Sequence, residues 1–129
     1  MRILLDTHVF LWFVLGDSRI TARYVAAIRD PNNDVYLSIA SVWESVIKNQ
    51  LGNLPMPMLP SAFLPQQRQL HNISSLAIDD GTMRALETLP PLHRDPFDRV
   101  IIAQAIQHAM VIASTDVRIR SYSVAILPD

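Results

Sequence analysis

Arg2-Ile3-Leu4-Leu5-Asp6-Thr7 is a short apolar β-rich run that stops on a carboxylate and passes directly into the helical pattern Thr7 to Leu15. The same form returns along the chain. Val35 to Ser38, Val111 to Ser114 and Val124 to Leu127 read as strands, with a weaker candidate at Ile73 to Leu76. Helical periodicity covers Thr21 to Asp30, Ser41 to Gln50, Ser61 to Leu70, Ile78 to Leu89 and Pro96 to Ala109. Strands this short and apolar, each followed by a helix, predict an α/β fold whose parallel sheet is covered on both faces. Ligands of such sheets sit outside the carboxyl ends of the strands. Asp6 lies there, directly after Ile3-Leu4-Leu5, and so does Asp116, two residues beyond Ser114.

Composition narrows the class. A chain of 129 residues, half of them hydrophobic, has room for one domain with a real core, expected to run from residue 1 to 129 without a linker. No run reaches the roughly 18 apolar residues that span a bilayer, and Asp6 and His8 interrupt the N-terminal apolar run in a way a secretory signal does not tolerate. The expectation is a soluble protein with no membrane partner. The absence of cysteine excludes a disulfide framework, thiolate metal sites and thiol nucleophiles, and suits a reducing cytoplasm. A net charge of −1 gives no overall basic field, so nucleic acid must be held by a local patch. The stretch Leu54-Pro-Met-Pro-Met-Leu-Pro60 is no helix interior, because proline lacks the N–H and clashes with the preceding turn; it reads as an exposed connector.

Four acids, Asp6, Glu44, Asp98 and Asp116, stand at strand ends or helix starts. Two have ordinary local readings. Ser41-Val-Trp-Glu44 fits a capping box, and Asp95-Pro-Phe-Asp98 fits an N-cap, a first-position proline and a third-position acid. Taken singly, capping is the stronger reading for both. Helical phase weakens it for Asp98, which falls inside the apolar arc of Phe97, Ile101, Ile102, Ala105 and Ala109. Glu44 is in phase with Ile47 and Leu51 and four residues before Lys48, so it faces either a cleft or a surface ion pair. Carboxylates that converge to ~4 Å repel by about 4 kcal/mol even at an effective dielectric of ~20, so a cluster of four needs cations or raised pKa values. Oxygen-only donors suit one or two Mg²⁺ or Mn²⁺ ions, which activate water for phosphodiester hydrolysis, and argue against structural zinc.

The motifs together resemble a known family. Ile3-Leu-Leu-Asp6-Thr-His-Val-Phe-Leu-Trp12, Ser38-Ile-Ala-Ser-Val-Trp-Glu44 with Lys48, His93-Arg-Asp-Pro-Phe-Asp98-Arg-Val-Ile-Ile-Ala-Gln104 and Ser114-Thr-Asp116 look like the successive signatures of PIN-domain ribonucleases, and most closely of VapC-like toxins. The resemblance spans nearly the whole chain in order. It implies a three-layer α/β/α sandwich around a central parallel sheet, a Mg²⁺- or Mn²⁺-dependent endoribonuclease, a homodimer, and inhibition by a small cognate antitoxin. Asp6, Glu44 and Asp98 match the three central acids of the family, and Asp116 the more variable fourth. Ser123 stands where the family commonly has glycine.

Two other functions compete. An aspartate-based phosphotransfer domain would use Asp6 as nucleophile, but Asp6-Thr7-His8 lacks the second acid expected two residues on. A catalytically silent module of this fold would only bind RNA or protein. Among the remaining residues, His93, Arg94, Arg99, Lys48, Arg118 and Arg120 are candidates to hold phosphate, each individually more ordinary as a solvated charge. Thr7 and Ser114 either hydrogen-bond a metal-bound water or close turns. His8, Trp12 and Trp43 read first as packing residues.

Overall fold

The computed structural model describes residues 1–129. Strands β1 (Arg2–Leu5), β2 (Asp34–Ser38), β3 (Ser74–Leu76) and β4 (Val111–Ala113) form one parallel sheet in the order β3-β2-β1-β4. Helices α1 (Thr7–Leu15), α2 (Ala22–Arg29), α3 (Ile39–Gln50), α4 (Pro60–Leu70), α5 (Asp80–Glu87), α6 (Pro96–His108) and α7 (Val117–Arg120) make the connections. The chain steps outward from β1 to β2 to β3 and then returns to lay β4 on the other side of β1. That reversal opens a crevice at the carboxyl ends of β1 and β4, where the chain departs in opposite directions.

The run that opens the sequence is the centre of the core. Ile3, Leu4 and Leu5 are all fully buried, which is why β1 shows no polar alternation. Successive strand residues point to opposite faces. Ile3 and Leu5 pack with Val9 and Phe10 of α1, Tyr24 and Ile28 of α2, and Phe63 and Leu64 of α4. Leu4 packs the other way, with Ile112 and with Ile101, Ile102 and Ala105 of α6. Two helical layers therefore enclose the sheet, the three-layer α/β/α sandwich that the motifs implied.

Four local expectations change. Val124 to Leu127 is not a strand: Ile126 makes a single parallel bridge to Ile112, with Ile112 N–H donating to Ala125 O and Leu127 N–H to Ile112 O. Pro128 follows with no N–H to extend the ladder. Helix α3 starts at Ile39 rather than Ser41, because the Ser38 hydroxyl accepts from Ala40 N–H at 3.0 Å and caps it there. Helix α5 is shorter than its apolar pattern, since Asp79 and Thr82 close a reciprocal capping box that fixes its start. The short α7 has no counterpart in the helical periodicity; Asp116 caps it through Arg118 N–H. In the proline-rich connector Leu54 and Met56 pack onto the core, while Met58 and Leu59 stay exposed. No helix is long and apolar enough to cross a membrane.

Candidate functional site

Asp6 is the first residue past β1, and its N–H still donates to Ala113 O at 3.0 Å, so it is fixed in the seam between β1 and β4. Its side chain is only 3 % exposed. Oδ2 accepts from Ser114 Oγ at 2.8 Å, and Oδ1 is buried with no hydrogen-bond partner. Ser114 is held in turn by its N–H donating to Tyr24 Oη at 3.2 Å, and that hydroxyl donates to Leu127 O at 2.8 Å. Burial pushes the Asp6 pKa up against the opposing pull of the Ser114 hydrogen bond.

Glu44 reaches the same region from α3 and is 2 % exposed. Its capping-box reading is overturned: Ser38 is the N-cap, and Ser41 instead accepts from Thr7 Oγ1 at 2.8 Å, tying the start of α1 to α3. Glu44 Oε2 accepts from Lys48 Nζ at 2.6 Å, while Oε1 is a second buried oxygen without a partner. Of the two readings left open for Glu44, the pair with Lys48 is present, but on the buried side of the helix.

Asp98 enters from the first turn of α6, capped as expected by Asp95, whose carboxylate accepts from Phe97 N–H at 2.9 Å and Asp98 N–H at 3.1 Å. Asp98 is buried, and its Oδ2 lies 2.7 Å from His93 Nε2. Burial raises its pKa to about 6, opposed by the His93 hydrogen bond and reinforced by the negative charges of Asp6, Asp95 and Glu44.

Asp116 lines a cleft with Asp6, and of the four acids it is Asp98, not Asp6 or Glu44, with which it shares a tight group of ligand atoms. One ligand atom each from His93, Asp98 and Asp116 lie within 4.8 Å of one another. Partial burial works to raise the Asp116 pKa, but Arg118 outweighs it and the net shift is downward: Arg118 Nη2 sits 3.0 Å from Oδ2 and Nε 3.2 Å from Oδ1.

His93, a sequence candidate to hold phosphate, is buried against Asp98 instead, and its backbone N–H donates to Tyr122 Oη at 3.0 Å. Arg99 Nη1 donates to the same hydroxyl at 2.9 Å, and Arg120 Nε to Ser114 O at 3.0 Å, so both arginines brace the loops. Tyr24 and Tyr122 were missed by sequence reasoning. Their partners lie about 90 and 29 residues away, and no local pattern marks such a contact. A separate cavity of about 470 Å³, with Arg29, Asp34 and His71 in its wall, opens at the amino end of β2, away from the acids.

Fold and site together define a class: a doubly wound α/β domain with buried carboxylates gathered where the strand order reverses. The chain belongs to the PIN domain family, whose pattern matches residues 3–125. It is 35% identical over 54 residues to Ribonuclease VapC16 of Mycobacterium tuberculosis, an alignment covering 42% of this chain and 38% of that protein's length. Three solved structures share the fold. VapBC2 from Rickettsia felis, solved with a DNA fragment from its promoter, superposes with a TM-score of 0.72 at 12% identity, covering 99% of this chain and 98% of that one. VapBC-1 from nontypeable Haemophilus influenzae gives 0.63 at 17% identity, covering 98% and 97%. FitAcB from Neisseria gonorrhoeae gives 0.62 at 22%, covering 98% and 96%.

Proposed function

We propose that this chain is a metal-dependent endoribonuclease that hydrolyses RNA phosphodiester bonds, the toxin of a toxin–antitoxin pair. The observation that carries the reading is the pair of orphaned buried oxygens, Asp6 Oδ1 and Glu44 Oε1, on two acids whose charges both bear on the buried Asp98. Buried acceptors without donors are costly unless a cation satisfies them. Hard oxygen donors fit Mg²⁺ or Mn²⁺, and Asp6, Glu44, Asp98 and Asp116 would hold one or two such ions. A bound ion would supply an acidified water and charge neutralisation for the phosphodiester.

The remaining groups position. Ser114 fixes the orientation of Asp6 by taking one carboxylate oxygen and leaving the other free. His93 does the same for Asp98, and Lys48 for Glu44. Held this way, each acid presents a defined lone pair without the entropy cost of ordering it on binding. Asp6 is anchored on one oxygen and nearly inaccessible, which favours a ligand role over that of a phosphate-accepting nucleophile. Cleavage of single-stranded RNA, lost in EDTA and restored by Mg²⁺, is the expected result. RNA binding with no cleavage under any divalent ion would leave only a binding module.

Glu44 gives the sharpest single-residue test. Glu44→Gln preserves shape but removes the charge facing Lys48 and weakens the oxygen donor. Mn²⁺ affinity, read by calorimetry, is expected to fall by roughly tenfold or more. An unchanged titration would reduce Glu44 to a partner of Lys48.

The partners follow the same reading. Ile39 and Trp43 on α3 and Leu51 at its C-cap are exposed apolar side chains, Trp43 at 57 % although its ring packs edge-on against Phe97, and this supports a homodimer. All three related folds carry two-component names, VapBC2, VapBC-1 and FitAcB, which supports a small protein antitoxin here. Light scattering is expected to give a dimer, and the copurified complex to be inactive until the partner is stripped. A strict monomer, or a complex fully active on RNA, contradicts this.

A further inference from the structure

Beside the acids lies a cleft of about 410 Å³ that the ribonuclease reading leaves unused. It shares Asp6 and Asp116 with the site and is walled by His8, Trp12, Arg19 and Arg118. Helix α1 places His8 and Trp12 one turn apart, with ring centroids 6.2 Å apart and planes tilted by 42°. Arg19 comes from the loop after α1, and its Cζ lies 5.2 Å from the Trp12 ring centroid. Trp12 is half-buried, packed on the core along one part and open to the cleft along another.

Both guanidiniums are pinned. Asp17 grips Arg19 through Nη2–Oδ2 at 2.7 Å and Nε–Oδ1 at 3.1 Å, and Asp116 grips Arg118 in the same forked manner. A pinned arginine loses little further freedom when it meets a ligand, yet keeps donors to spare beyond those its carboxylate takes. Unpaired bases stack on aromatic rings and on guanidinium planes, while the spare N–H donors suit phosphate oxygens. The volume falls in the range of small-ligand sites and accommodates one nucleotide. Duplex RNA presents no base face to such a cleft; a single strand does.

We propose that the cleft formed by His8, Trp12, Arg19 and Arg118 is a nucleotide subsite. It receives the base and phosphate of the residue adjoining the scissile bond of single-stranded RNA. The choice of RNA rests on the ribonuclease reading above, whereas occupancy of the cleft is testable without cleavage. Trp12 and Trp43 are the chain's two tryptophans, so in a Trp43→Phe background Trp12 is the sole fluorophore.

The experiment titrates a short unstructured oligoribonucleotide, in Mg²⁺, into the chain carrying Trp43→Phe and Asp98→Asn, following Trp12 emission alongside anisotropy of the labelled oligonucleotide. Stacking is expected to quench Trp12, and adding Arg19→Ala is expected to weaken binding roughly tenfold. An unmoved Trp12 signal overturns the subsite, whether the oligonucleotide binds elsewhere or not at all. So does unaltered affinity in both Arg19→Ala and Trp12→Leu. Cleavage assays on the chain with Asp98 intact decide the ribonuclease reading separately: quenching without cleavage keeps the subsite and removes the enzyme.

Discussion

Asp6→Asn and Asp98→Asn are expected to lose RNA cleavage by roughly 10²–10³-fold or more, the scale of removing one preorganised electrostatic contact at a reacting phosphate. In EDTA both variants are expected to melt at or above the temperature of the parent chain. Asparagine is nearly isosteric, still offers Ser114 or His93 an acceptor, and removes a charge that burial and neighbouring acids oppose. Activity and melting temperature should therefore move independently. A variant that is inactive because it no longer folds would count against the ligand assignment, and full activity in either would refute it.

The second large effect is a reversal of pH dependence by metal. Asp98 is raised to about 6 and Asp6 is raised as well, in both cases chiefly by burial. In the folded chain these acids keep protons that the unfolded chain has released above a pKa of about 3.9. The contribution of Asp98 to stability is full below that value and is lost as pH climbs through about 6, and that of Asp6 declines in the same direction as pH rises. Asp116 has the opposite sign: partial burial opposes ionisation, but Arg118 prevails and lowers its pKa, so its contribution fades only as pH falls below the usual carboxylate range. The metal-free chain is thus expected to be more stable near pH 5 than at pH 7.5. Mn²⁺ at about 100 times its Kd adds about 2.7 kcal/mol at pH 7.5, a rise on the order of 10 °C, because the ion binds the ionised form. Melting curves at both pH values, with EDTA and with Mn²⁺, check this; a stability indifferent to Mn²⁺ would remove the ion from the site.

Much of this site is written locally. Asp95-Pro96 caps α6 as its residue types dictate, and the helical phase of Asp98 already sets it among apolar neighbours, where the structure buries it. Glu44 shows the limit of such reading. Ser38 and Ser41 are both able to cap, and a window of four residues favours Ser41; the choice falls to Ser38 because β2 ends there and the helix begins without a loop. Once the start moves, Glu44 is no longer in the first turn and its carboxylate is carried into the interior.

Alone, the sequence determined that Ile3-Leu4-Leu5 forms a strand buried on both faces, that helices follow the strands, and that Asp6 and Asp116 emerge at carboxyl ends. Those features depend on periodicity and on residues a few positions apart, where sterics and side-chain type suffice. Only the tertiary structure decided that Ser114 meets Asp6 across 108 residues, that His93 turns inward onto Asp98, and that Val124 to Leu127 contributes one bridge rather than a strand. The Ser114–Asp6 contact exists because β4 pairs with β1 on the side away from β2. That choice is set by how two helical layers bury a single sheet, a property of the whole chain and of no segment in it.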